Sequence, residues 1–276
     1  MIRLTAPALS GQASAQLARY QAAVLNAGTY TAQVAEAKKR FKQYNTRTNP
    51  TFTEVKAHLT QMCVGARRCH YCEDSVADEV EHIAPKDLYP DRCFSWDNYC
   101  YACGPCNGPK NNRYAVFRAD AQGAFFEIPP HPNTRAGQAI QLVPPPPGPE
   151  VLINPRIDNP LDYLFLDITN SFQFVPLAEP VTMAYQRAVY TIDLLRLNVR
   201  ADLIKARRLA YTNFRARLRE YIHDRDAGLP QPHLDTLRQN LRDESHQTVW
   251  QEMVRQHAHL PELTRLFGQA PEAVAW

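Results

Sequence analysis

The sequence predicts an α+β protein in four segments: an N-terminal helical region over 1–62, a cysteine-rich module over 63–118, a proline-rich β segment over 119–180 and a C-terminal helical region over 181–276. Three observations predict it. Apolar residues recur at helical spacing near the N-terminus and through the last hundred residues, all seven cysteines fall between Cys63 and Cys106, and short apolar runs set between prolines follow them. With 276 residues, 45% hydrophobic and 21% charged, the chain can bury a substantial core, which excludes disordered and fibrous classes.

Taken in order, Gly11 to Leu25 places Leu17, Tyr20, Val24 and Leu25 on one helical face, and Tyr30 to Tyr44 repeats the pattern with Lys38, Lys39, Arg40 and Lys42 near its end. Asn49-Pro50 is expected to break the chain before a third short helix opened by Thr53 with Lys56 to Met62. Phe125 to Ile128 and Ala139 to Val143 read as strands, and Pro144 to Pro147 as a stiff connector, because four consecutive prolines cannot enter a helix or sheet interior. Further strands are expected at Val151 to Ile153, Leu164 to Ile168 and Phe172 to Val175. The strongest C-terminal helices are Ala184 to Leu197, Asp202 to Asp224 and Leu234 to Gln256, with a break at Gly228-Leu229-Pro230.

The net charge of +3 is too small to mark a polyanion binder by itself, but it is unevenly spread. Residues 1–62 carry eight basic side chains against two acidic ones, Arg196 to Arg225 carry nine against three, and the stretch 67–118 between them is slightly acidic. Lys38, Lys39, Arg40, Arg207 and Arg208 are therefore the candidate nucleic-acid contacts, set against the plainer reading of charges on solvated helix faces. No run of about 18 apolar residues is present and the first residues lack the order of a secretory signal, so the expectation is a cytoplasmic protein without membrane association.

In a reducing compartment crowded cysteines read as metal ligands. Cys69-His70-Tyr71-Cys72 and Cys103-Gly104-Pro105-Cys106 are two Cys-x2-Cys pairs 30 residues apart, the spacing of a tetrahedral four-cysteine zinc site. Such a site is structural, because four thiolates leave no open position for water. Cys63, Cys93 and Cys100 fall outside the paired spacing and read as small buried side chains, and His70, inside a knuckle, is expected to face solvent. Chemistry must lie elsewhere, in the loop between the knuckles and just after them. There Glu81 offers a hard carboxylate suited to Mg²⁺ or Mn²⁺, His82 an imidazole suited to taking a proton from water, and Asn98 and Asn107 amide groups, the last fixed by its place beside a zinc ligand.

Glu81-His82-Ile83-Ala84-Pro85, Trp96-Asp97-Asn98 and Cys106-Asn107-Gly108-Pro109-Lys110 together resemble the HNH endonucleases of the ββα-metal class, in their four-cysteine zinc variant, over about residues 67–115. The resemblance implies a central zinc-stapled hairpin followed by a helix that grips one divalent metal. It implies His82 as general base, Glu81 and Asn107 as ligands of a catalytic Mg²⁺ or Mn²⁺, Asn98 as the residue that orients the base, and Lys110 as a phosphate contact. This sequence departs from the commoner pattern in having Glu for Asp at the first ligand and Asn for His at the last. Leu152 to Pro160, Thr191 to Asn198 and Arg207-Arg208 further resemble HNH proteins encoded beside an ATPase in bacterial anti-phage defence, such as the nuclease subunit of Septu-type systems. That implies a DNA-cleaving effector with an ATPase partner. The alternatives are an RNase using the same residues and a non-catalytic zinc module that binds nucleic acid or protein.

Overall fold

The computed structural model describes residues 1–118, 123–132 and 141–276. Three helices open the chain: α1 (Gly11–Leu25), α2 (Tyr30–Tyr44) and α3 (Pro50–Gln61). Each starts on a side-chain cap, Ser10, Thr29 and Asn49 accepting the backbone N–H of Ala13, Ala32 and Phe52. Asn49-Pro50 is thus the beginning of α3 and not a break before it. Proline suits the first turn, where its missing N–H has no partner to lose, and the helix starts at Pro50, ahead of Thr53.

Two antiparallel strands follow, β1 (Glu79–His82) and β2 (Tyr99–Ala102), with Glu81 opposite Cys100 and His82 opposite Tyr99. The chain then enters α4 (Gly104–Lys110). This helix is only seven residues long and contains two glycines and two prolines, a composition that would not hold a helix in isolation. Its buried residues, Cys106 and Lys110, anchor it instead.

Beyond the hairpin the strands are short. β3 (Ala115–Phe117) pairs with β4 (Phe125–Glu127), and β5 (Leu164–Leu166) pairs with β6 (Phe174–Pro176), both antiparallel. Of the expected strand at Ala139 to Val143, residues 139–140 lie outside the described residues and 141–143 are not in a strand. Val151 to Ile153 are buried but form no strand. Prolines 149 and 155 bracket them, and they are held by single bonds such as Val151 N–H to the Ala115 carbonyl. Gly148 makes that approach possible, since a Cβ there would lie 2.1 Å from the Phe117 oxygen. Strand β6 begins two residues later than expected because Phe172 has a positive φ, which a strand does not accommodate.

The C-terminal region is helical: α5 (Met183–Leu194), α6 (Ala201–Asp226), α7 (Gln231–Arg242), α8 (Gln247–Gln256) and α9 (Pro261–Gln269). The expected helix over Leu234 to Gln256 is two helices, parted at His246, whose left-handed backbone (φ 61°) ends helical continuity. The architecture is accordingly α+β. One contiguous apolar core runs from Met1 and Leu4 through Phe52, Leu59 and the hairpin to Phe214, Trp250 and Phe267. The cysteine-rich hairpin therefore packs between the N-terminal helices and the C-terminal ones. Among the described residues no helix is long and apolar enough to cross a membrane.

Candidate active site

Cys69, Cys72, Cys103 and Cys106 are all buried, and their sulfurs lie within 4.8 Å of one another. The Cys72 and Cys103 sulfurs are 3.7 Å apart, far beyond a disulfide bond. Zinc–sulfur bonds of about 2.3 Å in a tetrahedron place sulfurs about 3.8 Å apart, so the cluster is positioned to bind a metal such as zinc. Cys103 stands at the N-terminus of α4, whose dipole favours a thiolate, and Arg200, the residue before α6, brings a guanidinium nitrogen within 3.4 Å of the Cys106 sulfur. Four thiolates around a divalent ion carry net negative charge, which this guanidinium offsets. Nothing local in the sequence pointed to Arg200, 94 residues away.

His70 does not face solvent. Its ring is buried, Nδ1 accepting from the Tyr101 N–H and Nε2 donating to the Leu59 carbonyl, so the imidazole extends the ladder of β2 toward α3. Burial pushes its pKa down to about 3, keeping it neutral. Cys93 and Cys100 are buried as expected, and Cys63 is half-buried.

Glu81 and His82 are consecutive at the end of β1, so their side chains leave opposite faces of the strand, and His82 is not among the residues that line the cleft around Glu81. His82 is 4% exposed, enclosed edge-on by Phe41 and Tyr99, and its Nε2 donates to the Cys93 carbonyl at 2.9 Å. That bond fixes the tautomer and leaves Nδ1 as the proton-accepting nitrogen. Burial, then the nearby Lys86, pushes the His82 pKa well below the ordinary histidine value of 6.5. Tyr99 donates to the same carbonyl, at 2.7 Å, which holds the acceptor in place.

Asn98 is fully buried and closes the loop between the strands. Its Oδ1 accepts from Ala84 N–H at 2.8 Å, and its Nδ2 donates to the carbonyls of Ala84 and Arg92, both at 3.0 Å. It thus holds the segment that carries Cys93 and, through it, the imidazole. Asn98→Ala removes three hydrogen bonds at once, two of them buried, and is expected to cost about 2–4 kcal/mol, measured by denaturant unfolding of zinc-loaded protein.

Glu81 is buried. Burial raises its pKa, and Lys110 opposes the rise with an ion pair of 2.5 Å. The resemblance implies Lys110 as a phosphate contact. Instead it is completely buried, and its ammonium also donates to the His82 carbonyl at 2.8 Å. The amide of Asn107 donates to Glu79, a carboxylate the motif did not include. Glu79, Glu81, Lys86, Asn107, Asn111 and Asn112 line one open cleft. Strand alternation was the signal that could have found Glu79, two residues before Glu81 and so on the same face. Carboxylate and amide oxygens in one cleft are a donor set that fits Mg²⁺ or Mn²⁺.

The basic clusters are largely matched within the chain. Lys38 pairs with Asp87 at 2.8 Å, and Lys39 and Arg40 pair with Glu36. Arg207, expected to contact nucleic acid, is buried instead, bonded to the Phe172 carbonyl and stacked on Phe174. Arg208 remains exposed, reaching the Asn170 carbonyl and the Phe172 ring. Arg215 and Arg219 share Glu262, and Arg217 takes Glu244. The segments after the hairpin also brace it. Arg156 donates to the Tyr99 carbonyl at 2.7 Å and stacks on Trp96, while Asn198 pairs with both backbone groups of Phe174 in β6.

Fold and site together define a mixed α+β chain built around a four-cysteine metal centre, and no family model matches it. Among curated proteins it is similar to the Septu protein PtuB of Bacillus thuringiensis, with 39% identity over 61 residues, 20% of this chain and 23% of that protein. The matched stretch thus spans about a quarter of the curated relative's length.

Proposed function

We propose that this protein is a metal-dependent HNH endonuclease that hydrolyses phosphodiester bonds in DNA, working as the effector of an anti-phage defence system with an ATPase partner. One observation carries the reading. Consecutive residues of β1 present an imidazole anchored through Nε2 and a buried carboxylate that holds a cation, on a hairpin stapled to the four-cysteine centre. A module that only bound nucleic acid would need neither. The similarity to a Septu protein supports the defence setting and the partner.

His82 accepts a proton from water at Nδ1 as the water attacks phosphorus in line. Cys93 O and Tyr99 hold the ring in orientation throughout, and Asn98 holds the loop that carries Cys93. Glu81 and Asn107 would hold the Mg²⁺ or Mn²⁺, which when bound polarises the phosphoryl group and stabilises the leaving 3′ oxygen. Lys39 and Arg208, exposed on the basic flanks, supply phosphate contacts along the duplex.

The pH profile checks the base. A general base must be neutral, and the His82 pKa is depressed, so cleavage persists below pH 6.5 and is lost only as pH falls through the lower value. An acid limb centred at or above 6.5 would contradict this assignment. Cleavage of matched DNA and RNA with Mg²⁺ or Mn²⁺ tests the substrate: degradation of DNA is the expected result, and degradation of RNA alone would replace it with a ribonuclease.

A further inference from the structure

Lys110 sits in the last turn of a seven-residue helix, where a long side chain would ordinarily carry its charge out to water. Here none of it is exposed, and the ammonium points inward onto Glu81 Oε1 and the His82 carbonyl. Burying an ammonium is unfavourable unless oxygens surround it, and these two belong to the residues assigned to metal binding and to the base. The Glu81 carboxylate has thus taken a cation that belongs to the chain itself.

The charges around the cleft sharpen the point. The cleft carries Glu79, Glu81 and Lys86, and Lys110 pairs with Glu81 from behind it, so the four charges sum to zero. A divalent ion arriving alone meets no net negative charge and must displace an ammonium from a buried carboxylate. A phosphodiester arriving with it supplies a negative charge and a new acceptor for the ammonium.

We propose that Lys110 is a resident cation which occupies Glu81 in the resting protein and moves to the substrate phosphate when the divalent metal takes its place, so that metal and nucleic acid bind cooperatively. This rests on the reading of Glu81 as the metal-holding carboxylate. Its consequence is a nuclease with weak affinity for Mg²⁺ or Mn²⁺ until a phosphate backbone enters the cleft.

Mn²⁺ binding followed by electron paramagnetic resonance tests this apart from activity, using full-length wild type, Lys110→Met, Lys110→Gln and Glu81→Gln, with zinc content reporting the fold of each. The expected result is Mn²⁺ binding at least tenfold tighter in the zinc-loaded Lys110 variants than in wild type, with a larger rise in melting temperature on adding Mn²⁺. In an uncleaving His82→Ala background, a short DNA duplex should tighten Mn²⁺ binding at least tenfold while Lys110 is present and much less once it is replaced. Unchanged or weaker Mn²⁺ binding in both Lys110 variants, with wild type cleaving DNA, overturns the proposal and leaves the nuclease reading standing. No cleavage by wild type, and Mn²⁺ binding equal in wild type and Glu81→Gln, overturns both. If Lys110→Met fails to load zinc, Lys110→Gln and the duplex dependence of the Lys110-containing protein decide.

Discussion

His82→Ala is expected to lower metal-dependent DNA cleavage about 10²–10⁴-fold, the range supplied by a positioned general base, with zinc content unchanged. The zinc cluster does not touch His82; the ring's contacts are Phe41, Tyr99 and the Cys93 carbonyl. Its removal leaves a hole beside Phe41 and frees one acceptor that Tyr99 still satisfies, so the protein loses some stability and keeps its fold. Cleavage rates under single-turnover conditions, measured beside zinc stoichiometry and a melting curve, separate loss of the base from loss of structure. A variant within threefold of wild type would remove His82 from the mechanism.

Cys72→Ser is expected to have the largest structural effect. A serine hydroxyl is a poor zinc ligand, and structural zinc contributes on the order of 10–16 kcal/mol of apparent binding energy to the folding of small domains. The short helix α4 has little helix propensity of its own, so loss of the metal should release it from the hairpin and with it Asn107 and Lys110. The variant should carry no zinc, and hydrogen exchange should show the amides of β1, β2 and α4 exposed. A folded Cys72→Ser protein with a full complement of zinc would refute the four-cysteine centre.

What the sequence made legible is what local geometry encodes. The double Cys-x2-Cys spacing located the metal cluster because each knuckle is a tight turn that fixes its own two sulfurs. Helices α1, α2, α5 and α6 followed from apolar periodicity, and the α+β class from the mixture of patterns. Features that depend on distant partners were hidden. The basic run in α6 read as either a polyanion face or a solvated one, yet Arg207 is buried under Phe174 and Arg215, Arg217 and Arg219 meet acidic side chains from the segments that follow. Val151 to Ile153 carried the apolarity of a strand, but prolines on both sides deny them a ladder. At the site itself, motif spacing named Glu81, His82, Asn98, Asn107 and Lys110 as candidates, of which Glu81 and Asn107 line one cleft, whereas the pairing of Lys110 with Glu81 and of Asn107 with Glu79 is a property of the folded hairpin against α4.

The central claim is that β1 carries a phosphodiester-cleaving site, and nicking of supercoiled plasmid tests it most directly. Purified wild type and His82→Ala are compared with Mg²⁺, with Mn²⁺ and with neither, and bound zinc is quantified in both. Metal-dependent nicking by wild type, lost in His82→Ala at equal zinc content, is the predicted result. Equal nicking by the two proteins, or none by wild type loaded with about one zinc per chain and supplied with its partner, would contradict it.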